Sequence, residues 1–210
     1  MKTTITIIDY GVGNVHSIAN ALSALNYSVK ISKSVSALSN AEVLILPGVG
    51  AFQEAMQNLI KLDLIPVLEN EVLGNKKPIL GICLGMQLFA NSSTENGLHN
   101  GLGWITGTVE KLDVSPPLSI PHVGWNSVQV VQKDPLFTRL MNNQNFYFDH
   151  SFHFSCADKF KAATCCYGSS ITAAVQHNNI FGVQFHPEKS QINGLRLLKG
   201  IVNSIQEITS

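Results

Sequence analysis

Three groups of residues in this chain have types and spacings that could do chemistry, and the first is a cysteine between glycines. Gly81-Ile82-Cys83-Leu84-Gly85 stands where an apolar run, KPILG, meets a segment of helical character, MQLFANSS. A thiol lifted from a sheet on a sharp strand-to-helix turn is a nucleophile elbow, with cysteine in place of serine. Glycines flank such a turn because backbone passes backbone too closely there for side chains. The turn also sets the sulfur at the N-terminus of the next helix, whose dipole favours thiolate over thiol. A structural cysteine buried between packing glycines fits the same five residues.

A cysteine nucleophile needs a base, and the base needs an orienting group. Gln184-Phe185-His186-Pro187-Glu188 offers both at the end of another apolar run. His186 and Glu188 are two apart, so an extended chain projects them to one side. Glu188 then holds the imidazole while His186 faces the sulfur; the plain alternative is a surface turn. The third group is Leu46-Pro47-Gly48-Val49-Gly50, closing a further apolar run. In open α/β sheets ligand sites gather at that carboxyl edge. An N–H of Val49 or Gly50, with that of Leu84, could receive a developing oxyanion.

The elements that must position these groups change character midway. In the first half TTITIIDYG reads as a strand, and NVHSIANALSALN as a helix with Val15, Ile18, Ala19, Leu22 and Leu25 on one stripe. SVKIS and AEVLILPGVG are strands, AFQEAMQNLIKL and IPVLENEVL helices with Pro66 in a first turn, KPILGICLG a buried strand, and MQLFANSS the start of a helix. This alternation implies right-handed crossovers and a parallel sheet covered on both faces. The second half, GWITGTVEKL, NSVQVVQ, NFYFDHSFHF, FKAATCCYG, SSITAAVQH and IFGVQFH, reads as successive strands expected to add antiparallel pairs, before a last helix, QINGLRLLKGIVNSI. The expected fold is three-layer α/β with a flavodoxin-like parallel core and added antiparallel strands.

Composition bounds the function. The 210 residues suit one domain spanning 1–210. Charged residues are 13% and the formal net charge is zero, so no basic field points to nucleic acid. A lightly charged surface is consistent with a face covered by a partner. No apolar run is long enough for a membrane helix, and the first apolar stretch reaches Asp9 without the core of a secretion signal. Cys83, Cys156, Cys165 and Cys166 form no CxxC pair and the seven histidines no zinc spacing, so we expect reduced thiols, a cytoplasmic protein, no metal and no cofactor. Trp125 is either a core aromatic or an interface anchor. His122 is given no chemistry, and His16, His99, His153 and His177 are read as surface or capping residues.

GICLGMQ, PGVGAF and FGVQFHPEKS together resemble the class I (triad) glutamine amidotransferases. IDYGVGN, IPHVGWN and FYFDHS are similar to the glutaminase subunits of imidazole glycerol phosphate synthases, and the likeness runs from Ile8 to the final helix. The resemblance implies that Cys83 attacks the amide of glutamine, with His186 and Glu188 as its partners. It implies oxyanion donors at Val49 or Gly50 and at Leu84. It implies that Gln87 and Glu95 contact the glutamine amino and carboxylate ends, with the His150-Ser151-Phe152 backbone lining the pocket. The ammonia would pass to a (β/α)8-barrel cyclase subunit through a face including Asn14, Trp125, Asn126, Tyr147 and Lys189. Two residues depart from the family. Phe152 stands where a tyrosine is frequent. Asp149 stands where an apolar residue is usual, so it is expected exposed or paired. These departures leave open a paralogous glutaminase serving sugar amidation in surface-polysaccharide synthesis. A γ-glutamyl-cleaving hydrolase and a catalytically silent binding module are the other readings.

Overall fold

In the computed structural model of the chain, residues 3–138, 140 and 143–209 are described. The first half folds as the alternation requires. Strand β1 (Thr4–Ile8) leads to α1 (Val15–Ala24), β2 (Ser28–Ser32), α2 (Val35–Ser39), β3 (Val43–Leu46) and α3 (Phe52–Lys61). Helix α4 (Leu64–Glu69) continues into one π turn at Asn70–Gly74 before β4 (Ile79–Ile82) and α5 (Leu84–Gln87). Capping and apolar spacing account for the helices. The Asn14 side chain accepts from Ser17 N–H at the start of α1, which buries Ile18 and Leu22. Helix α3 buries Phe52, Ala55, Met56 and Leu59, the stripe of an amphipathic helix. Helix α2, capped by Ser34, has too few residues to show a period and is absent from the sequence reading.

In the second half come β5 (Ser92–Ser93), β6 (His99–Asn100), β7 (Gly107–Lys111), β8 (His122–Val130), β9 (Gln144–His150) and β10 (Phe152–Cys156). Strands β11 (Lys161–Tyr167), β12 (Ser169–His177) and β13 (Ile180–Val183) follow, and α6 (Gln191–Thr209) closes the described chain. One sheet runs β2-β1-β3-β4-β13-β12-β11-β8-β9, and a smaller one runs β10-β7-β5-β6. From β2 to β13 neighbouring strands are parallel, and from β13 to β9 they are antiparallel. Every residue of β3, β4 and β13 is buried, as expected of strands covered on both faces. Alternate residues feed two cores. Ile5, Ile7, Val43, Ile45, Leu80 and Ile82 pack on one face, and Leu44, Leu46 and Ile79 on the other.

Three expectations are corrected. IFGV belongs to the parallel core, in register with β4 from Ile180↔Ile79 to Val183↔Ile82, and is antiparallel only towards β12. NFYFDHSFHF is not one strand: it breaks at Ser151, with β9 in the large sheet and β10 in the small one. The helix after Cys83 is a single turn. Beyond it Phe89 and Ala90 N–H bond to the carbonyls three residues back, and Asn91 pairs with Gly107 to start β5.

The fold therefore delivers the ends of β1, β3, β4 and β13 to one edge. The antiparallel half bends back to the same place: His186 N–H donates to the Tyr147 carbonyl of β9 at 2.8 Å. The last strand of the sheet thus closes on the turn that follows its central strand.

Candidate active site

The site grows from the end of β4. Cys83 has φ 54° and ψ −111°, a conformation that a non-glycine residue holds only when its surroundings enforce it. They do so by close packing. A Cβ at Gly81 would lie 2.6 Å from Met86 N, and one at Gly85 would overlap the Leu46 carbonyl. Cys83 N–H donates to the Val183 carbonyl at 2.8 Å, which ties the elbow to β13. Cys83 is 6% exposed, and its sulfur opens into a cleft of about 330 Å³. Because α5 is one turn, the helix dipole behind the sulfur is small and cannot carry the expected bias to thiolate.

His186 Nδ1 and Glu188 Oε1 are 2.9 Å apart, and both side chains are buried. The carboxylate accepts from Nδ1, which leaves Nε2 for the sulfur. Burial alone would lower the His186 pKa, but hydrogen bonds to Cys83 and Glu188 raise it to about 10. Among the described residues Glu188 Oε2 has no partner, so the carboxylate serves the imidazole alone. Ser190, which the sequence reading missed, clamps this turn: its hydroxyl donates to the His186 carbonyl at 2.6 Å and accepts from Tyr147 N–H at 3.0 Å.

The cleft is lined by Cys83 and His186, by Val49, Gly50 and Leu84, and by Gln87, Glu95, His150, Ser151 and Phe152. The structure brings these together from positions far apart in the chain. Pro121 and Asp149 join them. Gly50 has φ 101° with open space around its Cβ position, so glycine is required there by backbone conformation and not by room. Tyr10 OH donates to the Pro47 carbonyl at 2.6 Å and anchors the start of that turn. Glu95 Oε2 accepts from Phe52 N–H at 2.7 Å at the start of α3, which holds the carboxylate at the cleft wall.

The polar wall has a defined direction. His150 Nδ1 is 2.8 Å from the Phe152 carbonyl, which can only accept, so the proton is on Nδ1. His150 Nε2 must then accept from His122 Nδ1 at 3.0 Å, and His122 Nε2 from Asn126 Nδ2 at 3.3 Å. Both imidazoles are neutral: burial lowers His150 to about 3 and His122 to about 4. Gln87 Nε2 also donates to the Phe152 carbonyl, at 2.8 Å, and to Gln184 Oε1 at 3.0 Å. With both protons committed, Gln87 offers a ligand only its carbonyl oxygen.

Residues 6–200 match the family Glutamine amidotransferase class-I. The chain is 47% identical over 203 residues to the imidazole glycerol phosphate synthase subunit HisH 2 of Vibrio vulnificus, covering 96% of this chain and 95% of that one. It is also 44% identical to subunit HisH of Listeria monocytogenes, covering 93% of each. The chain belongs to the class-I glutamine amidotransferases. Solved structures share the fold. They include PurLQS of Thermotoga maritima (TM-score 0.73, 19% identity, 97% and 99% covered) and the CTPS glutaminase domain of Trypanosoma brucei (TM-score 0.65, 16% identity, 97% and 95% covered).

Outside the cleft of this amidotransferase, the residues assigned to a partner face are only partly free. Trp125 is 48% exposed, so it is no core aromatic, and its ring meets Tyr147 edge-on at 6.2 Å. Lys189 Nζ lies 5.3 Å from the Tyr147 ring centroid and 3.8 Å from Asp149, which is itself exposed. Asn14 is exposed but its amide oxygen caps α1. Asn126 turns inward, donating to the Cys166 carbonyl at 2.9 Å as well as to His122. His122, given no chemistry from the sequence, is 3% exposed and stacks on Tyr167 at 3.9 Å. His99 and His153 are half-buried, each with one ring nitrogen, His99 Nε2 and His153 Nδ1, shielded from solvent. The pairing of His122 with His150 is a cross-strand contact 28 residues apart, which no local pattern reveals.

Proposed function

We propose that the chain is the glutaminase subunit of an imidazole glycerol phosphate synthase, acting as one domain over residues 1–210 in the cytoplasm. The carrying observation is the strained Cys83 elbow facing an imidazole whose other nitrogen is held by a buried carboxylate. The Cys83 thiolate attacks the side-chain amide carbon of L-glutamine. The oxygen takes up negative charge beside the N–H of Leu84 and that of Val49 or Gly50. His186 gives its proton to the departing nitrogen, ammonia leaves, and a glutamyl thioester remains. His186 then takes a proton from water, the hydroxide adds to the thioester, and glutamate departs as the thiolate re-forms. Glu95 and the Gln87 carbonyl are acceptors and suit the α-ammonium of glutamine. The backbone of His150, Ser151 and Phe152 faces its carboxylate.

The ammonia passes to a (β/α)8-barrel cyclase subunit, where it completes imidazole glycerol phosphate and an aminoimidazole carboxamide ribotide. Trp125, Tyr147, Lys189, Asn14 and the edge of Asn126 form the docking face. The curated relatives, 42–47% identical and named as HisH subunits, favour this acceptor over sugar amidation. Among the described residues no helix is long and apolar enough to cross a membrane. The test is glutamine turnover by the purified chain, alone and with a barrel cyclase and its phosphoribulosyl substrate. The cyclase should raise turnover, and Cys83→Ala should abolish it. A rise only with a sugar-amidating synthase would overturn the histidine-pathway reading.

A further inference from the structure

We propose that Gln184 is a further catalytic residue, whose side-chain amide donates a hydrogen bond to the Cys83 sulfur and holds it as the thiolate. This rests on the role of Cys83 as nucleophile. Gln184 has no exposed surface, so its amide protons must be satisfied inside the protein. Its Nε2 lies 3.7 Å from Cys83 Sγ.

The orientation of that amide follows from one carbonyl. The Phe152 oxygen can only accept, so the Gln87 atom 2.8 Å from it is nitrogen. The same nitrogen reaches a side-chain atom of Gln184 at 3.0 Å, which must therefore be oxygen. What remains to face the sulfur is the NH₂ group. A carbonyl there would repel a thiolate, whereas an N–H stabilises it more strongly than a thiol. Gln184 lies one residue past the end of β13 and two before His186, so donor and base both leave the same strand end. With only a single helical turn behind the sulfur, a fixed donor has work that the helix dipole does not do.

The amide helps at two points of the reaction. It raises the fraction of thiolate before attack. It also stabilises the same sulfur as leaving group when water cleaves the thioester. Its support is independent of pH because an amide does not titrate. The titratable groups around the sulfur are His186 backed by Glu188, Tyr10 after β1, Asp149 and His150 of β9, Lys189 beside Asp149, and Glu95 across the cleft. All of them stay in place when Gln184 alone is replaced.

The experiment follows iodoacetamide labelling of Cys83 across the neutral and alkaline range, with peptide mapping, in the full chain. Gln184→Met removes the donor at similar volume, and Gln184→Asn keeps an amide but withdraws it from the sulfur. Exposed Cys166 is the internal reference, and continued protection of buried Cys165 reports folding. Gln184→Met should move the half-labelling pH of Cys83 upward by about one unit, roughly tenfold less thiolate below it. Gln184→Asn should move it the same way by less, and it decides the matter if the methionine variant fails to fold. A folded variant with an unmoved half-labelling pH and lowered turnover would make Gln184 a brace for Gln87 and overturn the proposal. If Cys83→Ala keeps full glutamine turnover, the reading of Cys83 as nucleophile itself falls, and Gln184 with it. If Cys83→Ala is inactive and the labelling profile is unmoved, Gln184 falls alone.

Discussion

Two histidine sites meet at one cleft, one favouring the charged imidazole and the other the neutral one. On the β13 side His186 is buried and its pKa is raised; on the β8–β9 side His122 and His150 are buried and theirs are lowered. Burial acts in the same direction on all three, against the charged imidazole. The difference is in the partners. His186 has a buried carboxylate on one nitrogen and the sulfur on the other. His122 and His150 have each other, an amide and a carbonyl. The first set can hold and pass a proton. The second holds fixed tautomers and so fixes which atoms of the pocket wall donate. One side is built for proton transfer, the other for orientation.

The largest effect should come from removing the carboxylate that makes the sides differ. In Glu188→Gln the amide can present N–H to Nδ1, favour the wrong tautomer and withdraw the charge that supports imidazolium. Glutamine turnover should fall roughly a thousandfold with the fold retained. A loss below about tenfold would mean that His186 owes its behaviour to the sulfur alone. A smaller effect belongs to Ser190→Ala. It leaves the His186 carbonyl with one donor fewer and the Tyr147 N–H without its acceptor. Unfolding in denaturant should show a loss of about 1–3 kcal/mol. Turnover should fall several-fold as the imidazole loosens, whereas a purely local clamp would cost stability and leave turnover unchanged.

The β13 side was legible in the sequence because each of its signals is local. Spacing of two marked His186 and Glu188, although Glu188 comes to the imidazole through a 3-10 turn, Pro187–Lys189, and not along the extended chain that was expected; glycines at 81 and 85 marked the elbow. The continuous apolar runs of β3 and β4 declared strands buried on both faces. Gln184 stood two residues before His186 and went unread, because a glutamine at a strand end carries no signal until its neighbours are known. The β8–β9 side was legible only as strands. His122 meets His150 across a ladder, and β9 returns to Tyr147 and His186 through the curl of the whole sheet. The break at Ser151 between two sheets has no signature in composition. The resemblance placed the 150–152 segment at the pocket but could not say that its carbonyl sets the direction of four neighbouring side chains.

A third effect separates the sides by pH and is read from stability. His122 and His150 have folded-state pKa values of about 4 and about 3, below the ordinary 6.5. Between pH 6.5 and 4 the unfolded chain therefore binds protons that the folded chain refuses, and stability falls as pH drops through that window. Each histidine contributes a slope of up to about 1.4 kcal/mol per pH unit. His186 has the opposite sign. Its pairing is fully present below 6.5, and the stability it adds is lost as pH rises through about 10. Glu71 is held at about 2, first by its hydrogen bond from Lys77, so its loss comes at lower pH than the histidine window. Unfolding of His150→Gln across mildly acid pH should show a shallower acid slope and the wild-type alkaline limb. An unchanged acid slope would mean that the β8–β9 histidines accept a proton while folded. The orientation of the wall, and with it the argument from the Phe152 carbonyl, would then hold only near neutrality and above.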